Sequence, residues 1–300
     1  MSNRVSIDEI RSRTYKARDA WWTVILVDPV ASRLVQWAAP YRWITPNLLT
    51  GVALLLGLAS AACFATAESA WLIVGGLLFH LSFVVDCMDG KVARLNGTGS
   101  FFGVWLDFIV DEIRIIIAAA ALMGGQFAAT GNPLYLWAAF GILAVHLIRY
   151  MSAWHMGKVR AAMRRRRREI AELGADYDAR SQAEQAEVDA EDDDDSAETP
   201  RDSLSLVSRV RTALLRRRIR THLVSGIEFQ MAAFIIGPIT GAVIAAPVIA
   251  GAAMLAFEVL LAARLLRQVD RFEATNPTPA EITATIPRPR SATARVPADA

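Results

Sequence analysis

Residues 86–111 read DCMDGKVARLNGTGSFFGVWLDFIVD. Its four aspartates, Asp86, Asp89, Asp107 and Asp111, fall at the facing ends of two apolar stretches, roughly 70–92 and 101–123. Each stretch is close to the about 20 mainly apolar residues that a membrane-spanning helix needs. Working outward, comparable stretches occur at roughly 47–66 and 134–156, then at roughly 226–243 and 247–267 around a turn with Gly241 and Pro247. The expectation is an all-α integral membrane protein of six transmembrane helices, with both termini on one side.

Composition agrees. Hydrophobic residues make up 54% of the 300, and the mean hydropathy is +0.31. The 32 basic and 30 acidic residues leave a net charge of +2, which points to no nucleic-acid partner. Their placement is more informative. Only ten charged residues lie between Asn47 and Met156, eight of them within 86–114, whereas the stretch from Lys158 to His222 holds 29. That segregation excludes an ordinary soluble globular protein. Cys63 and Cys87 lie in apolar surroundings, which excludes a disulfide scaffold or a cysteine zinc site.

Lys and Arg set the orientation, because cytoplasmic loops carry the positive excess. The connections near 65–70, 124–133 and 240–247 have none. The opposite ends have Lys91, Arg94, Arg149, Lys158, Arg164–Arg168, Arg216–Arg218 and Arg264. Both termini and the aspartate segment are therefore expected at the cytosolic face of the cell membrane. Residues 1–46 read as a cytosolic arm with an amphipathic helix in the membrane interface: Trp21, Trp22, Trp37 and Trp43 mix there with Arg33 and Arg42. The arm has no signal-peptide order. Helices one to four occupy 47–157. The segment 158–225, with six acids in seven residues at 189–195 between arginine runs, is expected to be a largely disordered cytosolic insertion with basic flanks on anionic headgroups. Helices five and six occupy 226–268, and 269–300 reads as a disordered tail.

Ionisable residues at membrane depth are costly, so their default reading is functional. Asp86 and Asp89 are spaced i, i+3, and Asp107 and Asp111 i, i+4, so each pair shares a helix face. The short connection makes the two helices antiparallel neighbours whose faces can meet. Four close carboxylates cannot all stay ionised unaided. Protonation is one remedy. Divalent cations are the other, and an all-oxygen set suits Mg²⁺ or Mn²⁺, two of which would balance four charges and clamp a phosphate or pyrophosphate. Gly90 lets a substrate approach the backbone, Ala93 keeps the next turn small, and Arg94 offers a fork of donors to phosphate oxygens. Gly103 lets the two helices come close. Lys91 reads as a cytosolic anchor.

These residues resemble a known signature. Asp86, Asp89, Gly90, Ala93, Arg94, Gly103, Asp107 and Asp111 fill every position of the CDP-alcohol phosphatidyltransferase motif at its spacing, and Thr45-Pro46-Asn47 to Thr50 is similar to the segment that opens that family's first helix. The resemblance covers about 47–268. It implies a six-helix homodimer that releases CMP from a CDP-linked donor by attack of an alcohol hydroxyl. It further implies that Asp86, Asp89 and Asp107 bind a pair of divalent ions and that Asp111 is the general base and touches the second. Gly90, Ala93, Arg94 and Ser100 would meet the donor, with Asn47 and Thr50 lining the nucleotide site. Ser100 and Asn47 read equally as helix caps.

CDP-diacylglycerol with a polar alcohol is the expected substrate pair; a soluble CDP-alcohol with a diacylglycerol acceptor uses the same signature. Arg114 and Arg149 are candidates for the mouth of an acceptor pocket, or snorkel to headgroups. His146 could join that pocket. Glu228 and Glu258 either line it or pair with an arginine. Two competing readings are a cation transporter using the aspartates, which lacks support from mid-bilayer polar groups or a repeat, and an inactive scaffold acting through the charged insertion.

Overall fold

A computed structural model describes residues 5–41, 43–173, 217–220, 224–276 and 281. Among them there is no strand, only an isolated backbone bridge between Asp19 and Ile219. The helices are α1 (Ile7–Thr14), α2 (Asp28–Ala38), α3 (Pro46–Ala65), α4 (Ser69–Asn96), α5 (Phe101–Thr130), α6 (Leu134–Leu173), α7 (Gly226–Met231), α8 (Gly237–Thr240) and α9 (Ala245–Thr275). A π-type turn, Thr23–Val27, leads into α2, and another, Ala232–Ile236, joins α7 to α8.

Among the described residues, four helices are long and apolar enough to cross a membrane: Pro46–Ala65, Ser69–Asn96, Leu134–Ile170 and Ala245–Thr275. The stretch Gly226–Thr240 is a shorter apolar run. The chain divides into two compact units, one of residues 1–152 and 203–260, the other of 153–202 and 261–300. Within the second, the Arg166 and Arg167 guanidiniums lie over the Phe272 ring at 5.6 and 5.3 Å.

In the first unit, local chemistry sets the helix ends that matter. Thr45 caps α3, its hydroxyl accepting from Leu48 N, with Pro46 in the first turn. Gly97, at φ +64°, ends α4 in the left-handed conformation. Ser100 then caps α5 by accepting from Gly103 N at 3.0 Å. The connections of a few residues reverse the chain twice, and α3 packs against both α4 and α5. The start of α3, the end of α4 and the start of α5 therefore share one side of the unit.

Close packing holds this trio. A Cβ on Gly125 of α5 would stand 2.6–2.8 Å from backbone atoms of Phe64 and Ala65 in α3, an approach only glycine permits. The Ser60 hydroxyl of α3 donates to the Gly75 carbonyl of α4 at 2.7 Å, and the Ser82 hydroxyl of α4 donates to the Ala53 carbonyl of α3 at the same distance. Each buried hydroxyl thus ties two helices together while satisfying itself.

Residues 1–46, where an amphipathic interfacial helix was expected, contain α2. Its buried face (Ala31, Ser32, Val35 and Ala38) lies against protein, and α2 packs along α4. Trp37 and Trp43 are exposed, whereas Trp22 is buried with its ring edge-on to His80 of α4. The helix α6 continues past the expected end at 157 to Leu173, and α9 continues past 268 to Thr275. Of the insertion, 174–216 (the acidic run 189–195 among them) and 221–223 lie outside the described residues, as do 277–280 and 282–300 of the tail.

Candidate active site

The site forms where the start of α3 and the end of α4 meet the first half of α5. Asp86 and Asp89 are buried on α4, and Asp107 is half-buried on α5. One carboxylate oxygen from each of the three lies within 4.8 Å of the others. The i, i+3 spacing thus presents both α4 carboxylates to α5, as expected. From α3, the Thr50 hydroxyl donates to Asp89 Oδ2 at 2.6 Å. Asp86 Oδ1 is buried and has no hydrogen-bond partner.

Asp111 lies one turn on from Asp107 but outside this trio; its Oδ1 accepts from Arg114 Nη2. Arg114 is the largest departure from expectation. It stands at no pocket mouth and does not snorkel. At 3% exposure it lies inside the helix trio, its Nη1 donating to Ser82 Oγ at 3.1 Å and standing 3.4 Å from Asp86 Oδ1. The Phe79 ring lies 5.9 Å from its guanidinium. Gly57 of α3 makes the room, since a Cβ there would stand 2.8 Å from Arg114 Cγ and Cδ. The arginine is a buried counter-ion to the aspartates, tolerated because it is paired.

Arg114 pairs with two of the four aspartates, Asp86 and Asp111, so negative charge is left over at Asp89 and Asp107. A tight, all-oxygen trio, in which buried Asp86 Oδ1 has an ion pair but no hydrogen bond, is the donor set that a hard divalent cation fits. The residues present thus suit Mg²⁺ or Mn²⁺ ions held by Asp86, Asp89 and Asp107.

The remaining expected site residues are arranged in two groups. Arg94 donates from Nε to the Thr14 carbonyl at 2.9 Å, leaving Nη1 and Nη2 3.5 and 3.6 Å from where a Gly90 Cβ would stand. Ala93 is half-buried one turn on. Asn47 and Ser100 converge on Gly103, where a Cβ would lie 3.5 Å from Asn47 Oδ1 and 3.1 Å from Ser100 Oγ. Ser100 is in place as a cap, and the hydroxyl of Thr50 is engaged by Asp89.

Lys91 corrects its expected role. It is not a surface anchor: 5% exposed, it pairs through Nζ with Asp28 Oδ1 of α2 at 2.8 Å. Asp28, Tyr15 and Gly57 were not singled out by sequence reasoning. Asp28 carried a usable signal, being an acid within the apolar run 20–31.

Arg149 of α6 pairs with Glu258 of α9 at 2.6 Å, the arginine partner that Glu258 was allowed. His146 Nε2 meets Glu112 Oε2 at 2.9 Å, while Phe108 stacks on Tyr150 at 5.2 Å, which sets α5 alongside α6. Glu228 caps α7 with Ser225 in a capping box. These charges are met within the protein.

Residues 43–173 match the family model for CDP-alcohol phosphatidyltransferase. Over 116 residues the chain is 31% identical to a CDP-diacylglycerol–serine O-phosphatidyltransferase of Helicobacter pylori, covering 36% of this chain and 46% of that protein. It is 37% identical over 84 residues to a CDP-diacylglycerol–glycerol-3-phosphate 3-phosphatidyltransferase of Cereibacter sphaeroides, 28% of this chain and 38% of that one. An archaetidylinositol phosphate synthase of Methanothermobacter thermautotrophicus is 32% identical over 120 residues, 40% and 52% respectively. The chain thus spans about half the length, or less, of these relatives.

Proposed function

Residues 43–173 are a CDP-alcohol phosphatidyltransferase domain, and from that premise we propose that the protein transfers a phosphatidyl group from CDP-diacylglycerol to the hydroxyl of a polar alcohol, releasing CMP, in phospholipid biosynthesis. The observation that carries the reading is the carboxylate trio of Asp86, Asp89 and Asp107, within 4.8 Å and embedded between apolar helices. Two of the relatives have CDP-diacylglycerol in their names, which supports that donor.

Asp86, Asp89 and Asp107, with Asp111 beside them, would hold two divalent cations, Mg²⁺ or Mn²⁺. Bound there, the cations supply charge neutralisation for the diphosphate and for departing CMP. The protein's own groups do the rest. Arg94, steadied through Nε, directs its remaining donors at phosphate oxygens over Gly90, where no side chain intervenes. Asn47, Thr50, Ala93 and Ser100 line the nucleotide end. Asp111 takes the proton of the acceptor hydroxyl as its oxygen bonds to phosphorus and the bond to CMP breaks. Arg114 holds the Asp111 carboxylate in place by pairing with it. Two further spans, α5 and the run 226–240, would complete a six-helix membrane domain in the cell membrane. The site and both termini then face the cytosol, and the assembly is a homodimer.

The test is CMP release by the purified protein with CDP-diacylglycerol, Mg²⁺ or Mn²⁺, and single alcohols: glycerol 3-phosphate, inositol phosphate, inositol and serine. Acceptor-dependent release that needs the metal and vanishes in Asp111→Asn is the expected result. No binding and no turnover of CDP-diacylglycerol would overturn the donor assignment, and a soluble CDP-alcohol would be tried next.

A further inference from the structure

The arm ahead of α3 is held by a residue from far along the chain. Arg218, in the C-terminal basic flank of the charged insertion, donates from Nε and Nη2 to the Lys16 carbonyl at 3.0 and 2.8 Å. Its Nη1 reaches Asp28 Oδ2 at 3.3 Å, and its guanidinium stacks 4.2 Å from the centre of the Tyr15 ring. Backbone bonds from Asp19 N to the Arg218 carbonyl (2.9 Å) and from Arg220 N to the Asp19 carbonyl (3.0 Å) complete the clasp. Arg218 adopts φ +62°, a conformation costly for a residue with a side chain and kept only where its surroundings impose it.

That clasp closes on two residues of the α4 motif. Thr14, immediately before Tyr15, offers the carbonyl that accepts from Arg94 Nε at 2.9 Å. Asp28 is shared between Arg218 and Lys91, which follows Gly90 on α4, and the Lys91 ammonium stands 5.7 Å from the Tyr15 ring. The bidentate grip on Lys16 lies two residues from the carbonyl that orients Arg94. An arginine on an exposed helix end has many rotamers; one fixed acceptor on Nε removes most of them and aims the remaining donors.

We infer that Arg218 is a positioning residue for the donor site: by seating residues 14–16 it fixes the carbonyl that orients Arg94, so the C-terminal flank of the charged insertion sets the affinity for the CDP-linked donor. The inference rests on the reading of Arg94 as a diphosphate ligand.

The test is a double-mutant cycle on the full chain in detergent, reading equilibrium binding of CDP-diacylglycerol with Mn²⁺ present. Arg218→Ala should weaken binding roughly three- to tenfold, the worth of a lost positioning hydrogen bond. Arg218→Asn, a residue type that tolerates the left-handed backbone, should do the same and serves if the alanine variant misfolds. In an Arg94→Ala background neither change should weaken binding further. Equal weakening in both backgrounds, or a lowered melting temperature with donor affinity unchanged, would overturn the inference. Failure of the unaltered protein to bind CDP-diacylglycerol is a different result: it removes the donor reading and the inference with it.

Discussion

Thr50 donates a 2.6 Å hydrogen bond to Asp89 Oδ2, so the first turns of α3 orient a carboxylate on the last turns of α4. The Thr50 hydroxyl is 39 positions away in sequence from the group that it steers. A metal ligand held by an outer hydrogen bond has fewer orientations to lose on binding, and removing such a partner typically lowers metal affinity about 10- to 100-fold. Thr50→Val keeps the shape and removes the donor. It should shift the Mn²⁺ concentration for half-maximal CMP release upward by about that factor, while Thr50→Ser stays near the unaltered protein. An unchanged metal requirement in Thr50→Val would show that the hydroxyl serves the nucleotide and not the carboxylate.

Arg114 leads to a second expectation. Its guanidinium is the counter-ion at the centre of the helix trio, and removing one partner of a buried pair commonly costs about 3–5 kcal/mol. Arg114→Met should therefore lower the melting temperature markedly in chelator. Added Mn²⁺ should restore a large part of the loss, because a cation at the aspartates compensates the same charge. Gly57→Ala tests the space instead of the charge. Its Cβ would meet Arg114 Cγ and Cδ at 2.8 Å, so stability should fall by about 1–3 kcal/mol with the metal requirement changed little. Melting in chelator and in Mn²⁺ separates the two.

The reach of sequence reasoning differs across these residues. The helical character of the chain and the shared face of Asp86 and Asp89 were legible because both are periodic, local properties of a helix, whereas the span expected at 226–243 is a shorter apolar run. The Arg114 environment was not. Its side chain meets Gly57 and Ser82 on two other helices, and no local pattern distinguishes an arginine aimed inward from one aimed at headgroups. Lys91 misled for the same reason, since its partner Asp28 is on α2. The end of α6 was set near 157 because the apolar run stops there. The residues that follow, AAMRRRRREIAEL at 161–173, are rich in Ala, Arg, Met, Glu and Leu, which favour helix without being apolar.

Arg149 and Glu258 offer a clean choice between structure and substrate. The pair spans 109 positions at 2.6 Å, with Glu258 buried and Arg149 half-buried. As a structural pair, Arg149→Ala leaves Glu258 charged and alone. The double variant Arg149→Ala, Glu258→Gln should then recover much of the lost melting temperature. If Arg149 instead holds an anionic acceptor, the double variant stays as defective in acceptor KM as the single one. Melting curves and acceptor KM for both variants decide the matter.

Asp28 and Lys91 are buried beside the motif, with side chains 4% and 6% exposed and 2.8 Å apart. Were Lys91 a headgroup anchor, Asp28→Asn would be nearly silent. As the partner of a buried ammonium, Asp28 is needed to keep that charge affordable inside the protein, and its loss should cost about 3–5 kcal/mol. Lys91→Met leaves Asp28 with Arg218 Nη1 at 3.3 Å as a remaining partner, so it should cost less than Asp28→Asn, which takes the carboxylate away from both Lys91 and Arg218. That order, with Asp28→Asn the more damaging, is what thermal melting in detergent should return. The reverse order would mean that Arg218 cannot serve as the second partner of Asp28.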